Sequence, residues 1–323
     1  VGKTYYITQS GVLKREHGTV VLRADGKKPV YIPINDIDDI FVFSEITLNK
    51  RLLSFLRQQG VPIHFYDRVG YIGSFMPEGV GQSSHVFIKQ VEYYADESKR
   101  IEIARIMTHA MIKGIENTLY RWYRIGKIKK KPGLHKAYYS LEKAQDIDQV
   151  RQAEASARKM YYEYLGEIVP SFEGRSRRPP KNSFSALMSF AYALLYGAVL
   201  TAIFQSPLDA KVSYIHEPKW HLYPLRLDMA DLFKVPIVDR FLVDLYKEGQ
   251  VKPGWFVTYG DGVFLSMNGK REFLKHWRAL MKKRAKKTKY GRAISVRRLF
   301  YIECMKLVRY LVDGRSYCPY MGE

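Results

Sequence analysis

The stretch ESKRIEIARIMTHAMIKGIENTLYRWYRI, from Glu97 to Ile125, decides how the chain divides. Ile101 leads into Met107, Met111, Ile115, Leu119 and Trp122, the last five separated by three or four residues. That is the period of an amphipathic helix with one buried stripe. Downstream the same period recurs over 147–168, 184–204, 228–247, 271–287 and 295–312. Upstream the pattern is different. Runs at 4–7, 19–22, 30–34, 37–42, 61–66 and 71–75 are short, rich in β-branched and aromatic residues, and punctuated by Ser10-Gly11, Asp25-Gly26 and Asn35-Asp36. One helical segment, 48–59, carries Leu52, Leu53 and Leu56 and is stopped by Gly60. The expected fold class is α+β: a small β-sandwich-like domain over 1–80, then a larger all-α domain over 97–323. The glycine-rich stretch 77–84, with Gly79 and Gly81, is the expected hinge, and 81–96 is read as the hinge or linker segment.

A length of 323 residues and 37.7 kDa is enough for two cores. Hydrophobic residues at 46% and charged residues at 26% exclude wholesale disorder and collagen-like repeats. The balance of 53 Lys+Arg against 32 Asp+Glu, a formal charge of +21, points to a polyanion, nucleic acid ahead of an anionic membrane. The charge is concentrated. Between Lys270 and Leu299 there are thirteen Lys+Arg and one acid, and between Arg121 and Lys136 seven and none. Tyr123, Trp277 and Tyr290 are interleaved with them, a composition suited to a phosphate backbone.

Cys304 and Cys318 make no disulfide framework or zinc spacing, and Val1–Val20 has no apolar signal core, so the expectation is a reduced, cytoplasmic protein. The segment 182–208 has no charge and follows Arg175, Arg177, Arg178 and Lys181, which superficially suggests a membrane span. Ser183, Ser185, Ser189, Tyr192, Tyr196, Gly197 and Thr201 dilute it, and no second span follows. It is read as a buried helix, with no membrane partner.

The residues richest in chemistry are Ser213-Tyr214-Ile215-His216-Glu217-Pro218, followed by Leu225-Arg226-Leu227-Asp228-Met229-Ala230-Asp231-Leu232-Phe233. Asp228 and Asp231 are three apart and share one helix face. An imidazole with carboxylates in a basic protein suits Mg²⁺ or Mn²⁺ acting on phosphodiesters. The residue types leave an alternative open, in which Asp228 caps the helix and His216 is a satisfied core histidine. Residue types do not single out Glu154 among its alanine neighbours.

These words resemble the CRISPR-associated protein one family, the nuclease-integrases of spacer acquisition. The likeness runs through Ile32-Pro33-Ile34, Ile40-Phe41-Val42-Phe43, Leu48-Asn49 and Gly60-Val61-Pro62-Ile63-His64-Phe65, then Arg177-Arg178-Pro179-Pro180, the His-Glu-Pro word and the acidic pair, with Lys234 closing it. The resemblance implies a metal site of Glu154, His216 and Asp231, a supporting carboxylate at Asp228, and Mg²⁺ or Mn²⁺ as cofactor. It implies joining of the 3′-OH ends of a short DNA duplex (the prespacer) to a CRISPR repeat by transesterification, and cleavage of branched or linear DNA. It also implies a homodimer formed through the β domains, with two dimers bridged by a dimer of the small CRISPR-associated protein two, in a prokaryotic cytoplasm. Arg175, Arg177, Arg178, Lys282, Lys283, Lys286 and Lys287 are the candidate DNA contacts. Two departures from the family pattern are Ser185, where an asparagine is common, and Pro224, where a serine is common. The competing reading is a non-catalytic, basic DNA-binding scaffold.

Overall fold

The computed structural model describes residues 2–77, 81, 83–218, 222–287 and 293–322, with 285–287 described by their backbone alone. The N-terminal part holds two four-stranded sheets. The first joins β1 (Lys3–Ile7), β5 (Ile37–Val42), β7 (Ile63–Tyr66) and β8 (Tyr71–Phe75) in the order β1-β5-β7-β8, parallel except for the last pair. The second joins β2 (Gly11–Glu16), β3 (Thr19–Arg23), β4 (Val30–Pro33) and β6 (Ile46–Leu48) in the order β4-β3-β2-β6. Helix α1 (Lys50–Gln58) is capped by Asn49, whose side chain accepts from Leu52 N. β2 and β6 are absent from the sequence reading, because one follows a glycine turn directly and the other has only three residues.

Alternation along β5 explains how the module meets the rest of the chain. Ile40 and Val42 point into the module core with Leu13, Val20, Leu52, Leu56 and Ile63. Phe41 and Phe43 point the other way and join Tyr6 and Tyr66 in the core of the helical part. One strand with period two therefore seals two cores. At that junction Asp39 accepts from Thr201 Oγ1 and Arg297 Nη2, each at 2.9 Å. His64 lies between Thr201 (2.9 Å) and Ser74 (2.6 Å), and burial pushes its pKa down to about 4.

The helical part comprises α2 (Ser84–Ala95), α3 (Glu97–Arg124), α4 (His135–Lys143), α5 (Ile147–Ile168), α6 (Ser183–Phe204), α7 (Leu225–Phe233), α8 (Arg240–Lys247), α9 (Met267–Lys282) and α10 (Val296–Asp313). It also contains two short hairpins, β9 (Phe256–Tyr259) with β10 (Gly262–Leu265), and β11 (Arg284–Lys287) with β12 (Ala293–Ser295). On α3 the predicted stripe is buried, except that Ile103 rather than Ile101 takes the first core position. Helix α6, read as buried, is the one described helix long and apolar enough to cross a membrane, and 89% of that window is buried inside the molecule.

Three expectations change. The 81–96 segment is mostly helix α2, tied in by Gln90, which exchanges hydrogen bonds with the backbone of Asp209. The glycine-rich stretch 77–84 lies partly outside the described residues. The single helix expected over 228–247 is α7, a π-helical turn at Lys234–Asp239, and α8. Pro236 has no N–H to give the α-helical ladder, which accounts for the change of winding. Finally, α9 ends at Lys282 and gives way to a strand. Lys282, Lys283, Arg284, Lys286 and Lys287 crowd like charges that a continuing helix would stack at three- and four-residue spacing.

Candidate active site and its basic groove

The His216 loop is held from two sides. From within, the buried carboxylate of Asp228 accepts three consecutive backbone N–H groups: Tyr214 (2.7 Å) and Ile215 (3.1 Å) on Oδ2, and His216 (3.0 Å) on Oδ1. His216 Nδ1 is also 2.7 Å from Oδ1. From outside, Arg100 Nε donates to Tyr214 O at 3.2 Å, and Arg151 Nε and Nη2 donate to Ile215 O at 2.8 and 2.6 Å. Both guanidinium groups then meet Glu217 Oε1, at 2.8 and 2.9 Å. Asp228 can do this because it stands in the first turn of α7, where a negative charge also suits the helix dipole. Pro224, at the N-cap, has φ −68° and its carbonyl accepts from Leu227 N at 2.9 Å. The missing N–H and hydroxyl are therefore not needed to start the helix.

On α5, Arg151, Glu154 and Arg158 fall on one face at helical spacing. Arg158 is buried between two carboxylates: its Nε is 2.9 Å from Glu154 Oε1, and its Nη2 is 2.7 Å from Asp231 Oδ1. Lys234 Nζ also contacts Asp231 Oδ1. The other oxygen of that carboxylate, Oδ2, is buried with no hydrogen-bond partner among the described residues. Burial opposes ionisation of Asp231, but the charges of Lys234, Arg158 and His216 prevail and hold it well below the usual carboxylate range. For His216, burial disfavours the imidazolium. The Asp228 hydrogen bond and charge, with Asp231 and Glu154 behind them, outweigh that and raise its pKa.

Glu154 and His216 open onto a groove of about 860 Å³, together with Arg151, Arg158, Lys159 and Arg177. Asp231 does not line it and reaches it through Arg158. Of the sequence-predicted set, two residues thus share a surface, the third is buried and ion-paired behind them, and Asp228 organises the histidine. Among the described residues, no three His, Cys, Asp or Glu side chains converge tightly enough to hold a metal as they stand.

The candidate DNA contacts separate. Arg177 is exposed in the groove and Arg178 is exposed beside it in sequence, its bond to Pro179 being cis. Arg175 also lines the groove, with its guanidinium donating to Ser185 O (3.2 Å), Ser189 Oγ (2.9 Å) and Ser176 O. Ser185 is buried, and its hydroxyl donates to Gly174 O at 3.3 Å. The side chain that opens α6 is Asn182, which accepts from Ser185 N at 2.7 Å. Lys282 and Lys283 are exposed on a separate cleft of about 530 Å³, with Arg240 and Arg284. The side chains of Lys286 and Lys287 lie outside the described residues. Sequence reasoning passed over Arg100, Arg151 and Arg158 and gave Glu217 and Lys234 no role in the site. The spacing of Arg151, Glu154 and Arg158 was the available signal.

Fold and site together define a class: a β module joined to a helical domain that carries a histidine and carboxylates on a partly basic groove. The chain belongs to the Cas1 family. The family model described as CRISPR associated protein Cas1 matches residues 5–279. A CRISPR-associated endonuclease Cas1 of Moorella thermoacetica is 35% identical over 98% of both chains, and one of Thermotoga maritima is 35% identical with the same coverage. The solved structure of a Cas1 protein from Thermotoga maritima superposes with a TM-score of 0.89 at 33% identity, covering 98% of this chain and 99% of that one. A casposase bound to integration product has the same fold, with a TM-score of 0.84 at 18% identity, covering 99% of this chain and 93% of that one.

Proposed function

We propose that the protein is a divalent-metal-dependent DNA endonuclease and integrase of CRISPR adaptation. It would join the 3′-OH ends of short duplex DNA to the CRISPR repeat by transesterification and cleave branched or linear DNA. The observation that carries this reading is the pairing of Glu154 and His216 on one groove, with His216 backed by the buried Asp228. A carboxylate behind the imidazole fixes its tautomer, which is how metal-binding histidines are commonly oriented. The donor types fit Mg²⁺ or Mn²⁺: the carboxylates of Glu154 and Asp231, the latter with an Oδ2 that makes no hydrogen bond among the described residues, and an imidazole whose Nδ1 is engaged by Asp228. Glu154, His216 Nε2 and Asp231 would hold the ion. When bound, it supplies Lewis acidity to the scissile phosphate and eases deprotonation of the attacking hydroxyl or water.

The remaining work belongs to the chain. Asp228, Arg100 and Arg151 fix the histidine loop from both sides. Lys234 offsets the charge of Asp231. Lys159 and Arg177 offer the groove's cations to phosphate oxygens. In-line attack then depends on positioning, with water or a DNA 3′-OH as the nucleophile.

Solved relatives include Cas1 in complexes with Cas2 and a Cas1–DNA complex. By that likeness the reading extends to DNA and the small CRISPR-associated protein two as partners; a homodimer paired through the β module and a prokaryotic cytoplasm are carried by the family resemblance alone. The scaffold reading draws on one observation, that Arg158 lies between Glu154 and Asp231. A disintegration assay on branched DNA separates the two. With Mn²⁺ or Mg²⁺, wild-type protein is expected to release the flap and religate the remaining strand, and to do neither in EDTA or as His216→Ala. DNA binding without turnover, persisting after the small partner is added, would establish the scaffold instead.

A further inference from the structure

We infer that Arg158 competes with the divalent cation for the carboxylates of Glu154 and Asp231, so that ion binding requires its guanidinium to turn away. The inference rests on the metal reading above and concerns what this chain does toward the ion. Its basis is geometric. The guanidinium engages Glu154 Oε1 at 2.9 Å and Asp231 Oδ1 at 2.7 Å, so one buried cation already satisfies a carboxylate from α5 and a carboxylate from α7. A divalent ion held by the same two carboxylates would stand within a few ångströms of that charge. In a buried setting such like charges repel too strongly to share the pair.

Arg158 has somewhere to go. It is itself a lining residue of the groove, so a guanidinium turned outward would enter a space that Glu163 and Glu173 also line. Lys234 contacts Oδ1 of Asp231 independently of Arg158, so that carboxylate keeps a cation partner in either arrangement. Glu154 is placed by its own helix, four residues before Arg158, so its position does not depend on the ion pair. Arg158 therefore acts as a built-in counter-ion. It stabilises two facing carboxylates and sets a threshold on the free ion concentration at which they bind metal.

The test is Mn²⁺ titration by calorimetry on the full chain, with thermal melting in EDTA and in Mn²⁺, for wild type, Arg158→Gln, Arg158→Lys and His216→Ala. Arg158→Gln is expected to bind Mn²⁺ about tenfold tighter or more, roughly the weight of one charge-assisted bond removed from the competing side. It should also melt lower than wild type in EDTA and gain more from Mn²⁺. Arg158→Lys, which keeps a cation that cannot bridge both carboxylates, should fall between, and it serves if the glutamine variant does not fold. Equal or weaker Mn²⁺ binding in both variants, with binding still lost in His216→Ala, would overturn the competition and leave Arg158 as a positioning group. If wild type and His216→Ala bind Mn²⁺ alike, the metal reading itself fails, and the competition falls with it.

Discussion

Replacing Asp228 tests whether one carboxylate organises the site. Asp228→Ala would leave the N–H groups of Tyr214, Ile215 and His216 without their acceptor, and the imidazole without its partner. A buried donor left unpaired costs about 1–3 kcal/mol. Because His216 is partly exposed (27% of its side chain), water can reach some of these groups. About 1–2 kcal/mol for each of three donors, or about 3–6 kcal/mol together, is therefore the working figure. For a chain of this length that corresponds to a fall in Tm of about 4–9 °C. Asp228→Asn keeps the shape and one acceptor but turns an NH₂ toward backbone donors, so it should fall between wild type and alanine. Melting should be read alongside amide hydrogen exchange, in which the protection of Tyr214, Ile215 and His216 is expected to collapse while that of α3 persists. An unchanged Tm with full protection of those three amides would refute the reasoning, because it would mean the arginines alone hold the loop.

Two further changes probe the scaffold. Burial, resisted by hydrogen bonding from Tyr192, pushes Asp239 up to about 6, above its unfolded value near 3.9. A raised carboxylate favours the folded state as it takes up its proton, so this group's contribution to stability falls as pH rises from about 4 through about 6. Asp239→Asn should then be more stable than wild type by about 2–3 kcal/mol at pH 8 and nearly equal to it at pH 4. Urea denaturation at the two pH values checks this, and a difference that does not depend on pH would contradict it. At Gly197 a Cβ would fall 2.5 Å from Tyr66 Oη and 2.7 Å from Phe41. Gly197→Ala is expected to cost about 1–3 kcal/mol by overpacking the junction of α6 with the first sheet, and a neutral melt would mean that the β module shifts freely on the helix.

The fold was legible where local pattern and tertiary burial agree. Met107, Met111, Ile115, Leu119 and Trp122 announced α3 because the face that repeats is the face that packs. The strand runs were readable for the same reason. Helix α2 was not, because its anchor is Gln90, a polar residue whose partner is 119 positions away. The end of α9 turned on repulsion within Lys282–Lys287, which a period count does not weigh. At the site, His216 and Asp228 stood out as residue types, but their link, three backbone N–H groups and the imidazole on one carboxylate, is invisible in spacing. Arg158 and Lys234 went unread because a cation beside a carboxylate is ordinary on a surface and acquires meaning only once both are buried.

Helix α6 has a consequence for how the protein is made. Its cover consists largely of α7, the π-helical turn, β10 and α10, all of which follow it in the chain. From Phe204 to the end of α10 at Asp313 is 109 residues, roughly 5–22 s of synthesis. An uncharged, 22-residue apolar segment therefore gains its lid piecemeal, α7, the π-helical turn and β10 first and α10 last. The nascent protein resembles a membrane protein until its last helix arrives. Chains cut short after Phe204 should therefore aggregate.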